Sequence, residues 1–260
     1  MKCLLSVCLL ASLAVVHSAV VRSSIVHSSI AHSSIIYSIA QAIKPSAAST
    51  SAQTLQRGVS VTMAGANSAQ PMPEADDADA WIVTVAADGQ LSFGIDAVTP
   101  AALRQRMIRS MMRTPRKRGQ RLYIKADARV PFANVQKALD VASAAEFDSP
   151  VLLVNQGGSV KPGTMVAPEG LEILMDGVAT SDAKSVVEVN SAQGSPALRI
   201  DDQEVPLAGL QDRLRQLVQS GKVKAILLRA DTRSLFGDVA QVIDNCRAAG
   251  IAVVVATPVI

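Results

Sequence analysis

From about residue 80 onward the apolar positions fall into short blocks whose spacing switches between two and about four residues, and the whole succession occurs twice. Val83 and Val85 flank Thr84, Asp88-Gly89 marks a turn, and Leu91 and Phe93 continue as a second short strand, so the block predicts a hairpin. Thr99-Pro100 then reads as a cap followed by proline at the first helical position. Leu103, Met107 and Met111 follow at four-residue steps on one helical face. Leu122, Tyr123 and Ile124 predict a strand, Phe132, Val135, Leu139 and Ala142 a second helix, and Val151 to Val154 a closing strand. In the second passage the same elements are Val186 to Val189, Leu198 to Ile200, a helix with Leu207, Leu210, Leu214 and Leu217, the strand Ala225 to Leu228, a helix with Phe236, Val239, Ile243 and Cys246, and Ile251 to Ala256.

The chain also repeats residue by residue. Ala126-Asp127-Ala128-Arg129-Val130-Pro131-Phe132-Ala133-Asn134-Val135 recurs as Ala230-Asp231-Thr232-Arg233-Ser234-Leu235-Phe236-Gly237-Asp238-Val239 at an offset of 104, which also brings Asp140 onto Asp244. Upstream, Leu91, Val98, Leu103 and Arg106 meet Leu198, Val205, Leu210 and Arg213 at an offset of 107, and the three-residue change marks a loop difference near Arg116. The expected fold is α+β: two tandem small two-layer α/β modules, each β-β-α-β-α-β, after an apolar leader. The expected boundaries are a leader over residues 1–54, a linker over 55–79, modules over 80–156 and 184–260, and between them a linker over 157–183 containing Pro162, Gly163, Pro168 and Gly170.

The leader has the order of a secretory signal: Met1-Lys2, an apolar run from Cys3 to Val16, then small residues at Ser18 and Ala19. A pentad repeat follows, with Arg-Ser-Ser-Ile at Arg22 and His-Ser-Ser-Ile at His27 and His32. Ser23 to Ile43 is uncharged and about membrane length, so a serine-rich membrane anchor is the second reading of this region. Residues 1–73 contain Lys2, Arg22, Lys44 and Arg57 but no acid, so the remainder of a chain of formal charge +3 is close to neutral. All three histidines, His17, His27 and His32, lie in the leader, which takes the commonest general base and imidazole ligand away from the modules. Cys246 is the lone cysteine there and sits at a helix position equivalent to Ala142, as a core thiol. Neither catalysis nor a cofactor or metal is expected.

At Tyr123-Ile124-Lys125-Ala126-Asp127-Ala128-Arg129, at the helix ending Asp140-Val141-Ala142, and in the second copy at Leu228-Arg229-Ala230-Asp231 and Asp244-Asn245-Cys246-Arg247-Ala248-Ala249-Gly250, the sequence resembles the periplasmic domain of the ExbD/TolR family. Leu55-Gln56-Arg57-Gly58-Val59-Ser60-Val61 resembles the stretch that leaves the membrane in that family. The resemblance implies a non-catalytic component of a TonB/Tol-like, proton-motive-force-coupled biopolymer transport system in the cell inner membrane, with periplasmic modules. It implies ExbB/TolQ-like and TonB/TolA-like partners, or peptidoglycan, and a homodimer. The alternative is an independent, soluble periplasmic peptidoglycan- or protein-binding module. Family members carry an aspartate in the membrane helix ahead of the Leu55 region. Here no carboxylate precedes Glu74, so no proton-binding residue is carried over. Either the motor segment has been replaced or the true start lies elsewhere.

Asp127 with Arg129, and Asp231 with Arg233, stand where a strand gives way to a helix, which points to capping or ion pairing rather than paired catalytic carboxylates. Between Asp96 and Asp127 there are nine basic residues and no acid; Arg104, Arg109, Arg113, Arg116, Lys117 and Arg118 form a candidate patch for an anionic partner such as lipid headgroups, set against a plain solvated helix face. Scarce aromatics argue against nucleic acid.

Overall fold

The computed structural model describes residues 58–113, 120–147, 149–156, 167–175, 183–192, 195–221 and 223–256. The leader, Leu55 to Arg57, Arg116 to Arg118 and the first part of the central linker lie outside the described residues. An N-terminal arm carries β1 (Gly65–Ala66), β2 (Gln70–Pro71) and a 3-10 turn at Pro73–Asp76. The first module follows with β3 (Trp81–Val85), β4 (Leu91–Phe93), β5 (Asp96–Val98), α1 (Pro100–Arg113), β6 (Leu122–Ala126), α2 (Phe132–Ala144) and β7 (Val151–Gln156). The central segment supplies β8 (Glu169–Glu172) and β9 (Leu174–Met175). The second module has β10 (Ala183–Ala192), β11 (Ser195–Ile200), β12 (Gln203–Val205), α3 (Leu207–Gln219), β13 (Ala225–Ala230), α4 (Phe236–Ala248) and β14 (Ala252–Val255).

The predicted order therefore holds in both copies, with one short strand added after each hairpin. The register is shared too: Leu91 pairs with Val98 and Phe93 with Asp96, just as Leu198 pairs with Val205 and Ile200 with Gln203. In each module this antiparallel meander joins two parallel strands, β3-β6-β7 and β10-β13-β14. Thr99 caps α1 as its sequence predicts, its hydroxyl accepting the Ala102 N–H at 3.2 Å. Leu103 and Met107 are fully buried, as are Phe132, Val135, Leu139 and Ala142 of α2 or nearly so, and the equivalent side chains of both modules join one contiguous apolar core.

The segments expected as linkers are partly built into the sheets. The first sheet runs β2-β8-β7-β6-β3-β4-β5, with β1 parallel to the end of β7. The second runs β12-β11-β10-β13-β14-β9. Gly170 lets β8 approach β7, because an added Cβ there would run into the Val151 side chain. The arm also covers the sheet face away from the helices, where Met63, Met72 and Ala75 pack on Ile82, Tyr123, Val151 and Leu153. This explains why β3 and β6 are buried at every position: both of their faces are covered. The matching face of the second sheet is more open, with Val186, Glu188 and Leu227 half-buried and Arg229 exposed.

Candidate functional site

The repeated motif sits where the two modules meet. Phe132 N–H donates to Ser234 O at 2.7 Å and Phe236 N–H to Val130 O at 2.9 Å; Ala133 N–H donates to Thr232 O at 3.2 Å and Gly237 N–H to Ala128 O at 2.8 Å. Under the 104-residue offset each bond maps onto its neighbour in the pair, and Pro131 bridges Leu235, its own equivalent. The two copies thus pair through the same loop about a local two-fold relation, as an isologous contact joins two subunits.

Within that loop the aspartates do not cap the helices. The helices begin at Phe132 and Phe236, after Pro131 and Leu235, which make no side-chain cap bond. Instead each carboxylate folds the turn and holds its arginine. Asp127 accepts the Arg129 backbone N–H at 3.0 Å and the Arg129 Nε and Nη2 groups at 2.9 Å each, and Asp231 accepts the Arg233 N–H at 2.9 Å. The Arg129 hydrogen bonds hold the buried Asp127 carboxyl well below the usual carboxylate range, outweighing its burial. Asp231 is lowered as well, first by the Arg233 backbone bond. Of these two aspartates, Asp127 alone among the described residues adds a contact to the arm, accepting the Thr62 N–H at 3.1 Å.

A second equivalent pair also diverges. Asp244 on α4 accepts the N–H groups of Asn67 at 3.0 Å and Ser68 at 2.7 Å, so the arm that lies on the first module is also fastened to the second. Asp140, at the same place on α2, instead receives Gln136 Nε2 at 3.3 Å, which also reaches Ala256 O at 3.3 Å. Burial raises the Asp140 carboxyl, against the lowering effect of that bond. The sequence shows that the two aspartates recur but not what they hold. The recurrence was the available signal.

Of the basic patch, Arg104, Arg109 and Arg113 are exposed on α1, and Arg116, Lys117 and Arg118 fall outside the described residues. Arg109 and Arg113 line a shallow hollow of about 330 Å³ with Phe93, Asp96, Arg106 and Ser110, in which Arg106 donates to Asp96 at 2.7 Å. A second hollow of about 360 Å³ lies beside the start of β14, between Ser68 and Gln70 of the arm and Lys224, Arg247 and Ala252. Cys246 is fully buried and burial pushes its thiol up to about 12, the state of a packing residue rather than a nucleophile. No group of three metal-ligating side chains occurs among the described residues, and none of their helices is long and apolar enough to cross a membrane.

The sequence model of the family described as Biopolymer transport protein ExbD/TolR matches residues 47–157 and again residues 161–258. No curated protein and no solved structure matches the chain. The two matched segments take in most of the chain and fall on the two modules in turn, so the chain belongs to the ExbD/TolR family of biopolymer transport proteins.

Proposed function

We propose that the chain is a non-catalytic envelope component of a TonB/Tol-like, proton-motive-force-coupled transport system, anchored at the inner membrane and acting through its tandem periplasmic modules. The observation that carries this reading is the family match on both modules. The modules bind extended segments of TonB/TolA-like partners, or peptidoglycan, beside an ExbB/TolQ-like channel protein. Three strand edges support binding by strand addition. The short strands β5 and β12 end their sheets, and β9 reaches only Val254 and Val255, so the start of β14, paired with β13 on one side, has no strand on its outer edge among the described residues. Homodimerisation uses the same kind of edge.

A second reading is favoured by one observation: residues 1–73 contain no acid. On that reading the protein is a secreted periplasmic binding module without a motor role. Complementation separates the two. An uptake-deficient strain receives either the chain as given or a version with an aspartate-bearing membrane helix grafted ahead of Leu55. Rescue by the chain as given supports the transport reading directly, and rescue only by the graft shows that the modules are transport-competent arms lacking a proton-responsive membrane segment. Failure of both, with the chain recovered as a soluble periplasmic product, establishes the secreted reading instead.

A further inference from the structure

The internal repeat separates what the fold requires of a helix from what it leaves free. At the inner positions α1 and α3 agree: Leu103 and Leu210 are both fully buried, and Arg106 and Arg213 both reach back to the neighbouring hairpin, at Asp96 and Gln203. On the outer face Ala101 and Ala208 still agree, but five positions differ in kind. Arg104, Ile108, Arg109, Met112 and Arg113 of α1 stand where α3 has Gln211, Arg215, Gln216, Gln219 and Ser220. The hairpin tip differs in the same sense, Ile95 standing where the second copy has Asp202. A module of this kind is therefore built without this face.

Its composition is specific. Of the five large apolar side chains exposed among the described residues, three are here: Ile95 at 83%, Met112 at 79% and Ile108 at 37%. Arg104, Arg109 and Arg113 are exposed around them, and no acid other than the paired Asp96 lies in the sequence between that residue and Asp127. Single exposed apolar side chains are ordinary, but three of the five fall on this helix face and the hairpin tip beside it. Met and Arg also occur together at protein interfaces, so an acidic protein is the competing occupant that the test must separate from lipid. Apolar side chains set among arginines match the boundary between anionic headgroups and acyl chains, which takes up both at once.

We propose that the outer face of α1, with the Ile95 tip, docks on the surface of an anionic phospholipid bilayer, so that the first module lies against the membrane and the second does not. The inference stands whether or not the transport reading holds, because it uses only the face itself.

The test reads docking at the site, since residues 1–57 accompany the modules in the full chain. The native chain has one tryptophan, Trp81, which is buried. Met112→Trp therefore adds a surface reporter, and Gln219→Trp places one at the equivalent position of α3. With phosphatidylglycerol vesicles the Met112→Trp emission shifts to the blue and is quenched by brominated lipid. With phosphatidylcholine vesicles it does not shift, and Gln219→Trp responds to neither. Replacing Arg104, Arg109 and Arg113 by the α3 residues (Arg104→Gln, Arg109→Gln, Arg113→Ser) lowers the ratio of docked to undocked face by roughly 100-fold, at about fivefold for each arginine near an anionic surface. Circular dichroism checks that these variants fold. An absent shift at Met112→Trp, or an equal one at Gln219→Trp or on phosphatidylcholine, overturns the proposal. So does a shift produced by polyglutamate or inorganic phosphate as strongly as by vesicles, which would assign the face to a soluble acidic ligand.

Discussion

Asp244→Ala should release the N-terminal arm from the second module while leaving each module folded. Asp244 is 6% exposed and its two oxygens take the adjacent N–H groups of Asn67 and Ser68 at 3.0 and 2.7 Å. At about 1–1.5 kcal/mol net for each bond, the pair contributes about 2–3 kcal/mol. That is roughly a 30- to 150-fold change in the opening equilibrium of the arm. Native-state hydrogen exchange followed by NMR reads it directly: the Asn67 and Ser68 amides speed up by that factor, while core amides such as those of Ile124 and Leu152 do not. Asp140→Ala is the internal control, since among the described residues the equivalent carboxylate holds the Gln136 side chain and no arm amide. Equal effects of the two substitutions, or unchanged exchange at Asn67 and Ser68 in Asp244→Ala, would refute the assignment.

Burial raises the folded pKa of Asp140 above its unfolded value of about 3.9, so the ionised form is disfavoured in the folded state. Stability should rise as pH falls through the folded pKa toward the unfolded one, and Asp140→Asn should remove this slope and stabilise the protein at neutral pH; denaturant titrations at several pH values would show the opposite trend if the reasoning is wrong. Cys246, with its thiol pushed up to about 12, should react with thiol reagents only after denaturation, and peptide mapping that finds it modified in the folded chain would count against a packing role. Gly237→Val should weaken the junction between modules by about 1–3 kcal/mol, because an added Cβ alone would come 3.1 Å from Ala128 O and 3.3 Å from Ala128 Cβ; an unchanged unfolding midpoint would refute the tight fit.

The helices and central strands were readable because their signals are local. The four-residue steps of Leu103 and Met107 and the Thr99 cap need no knowledge of the rest of the chain. Strand β8 gave no such signal: Glu169-Gly170-Leu171-Glu172 has a turn-like composition, and what makes it a strand is the open edge of β7. The arm was hidden for a related reason, since Thr62, Asn67 and Ser68 act through backbone N–H groups that every residue but proline possesses. The Asp127–Arg129 pairing was visible as a motif, but its partner Thr62 was not. The strand-to-helix passage leaves capping and pairing with Arg129 both open for Asp127, and the pairing is what forms, because the turn runs on to Pro131 before α2 begins.

The fastening of the arm also sets an order of events under load. Tension entering the described chain at Gly58 meets first the Thr62 bond to Asp127, then the pairing of Gly65 and Ala66 with Asn155 and Gln156, and after those the two bonds to Asp244. The first two grips belong to one module and the last to the other, so a pull that undoes the near grips is handed on to the far module before the central strands are touched. Under such a load the grips would let go in stages, and forced opening of this kind is governed by the rate of each stage rather than by the equilibrium stability of either module.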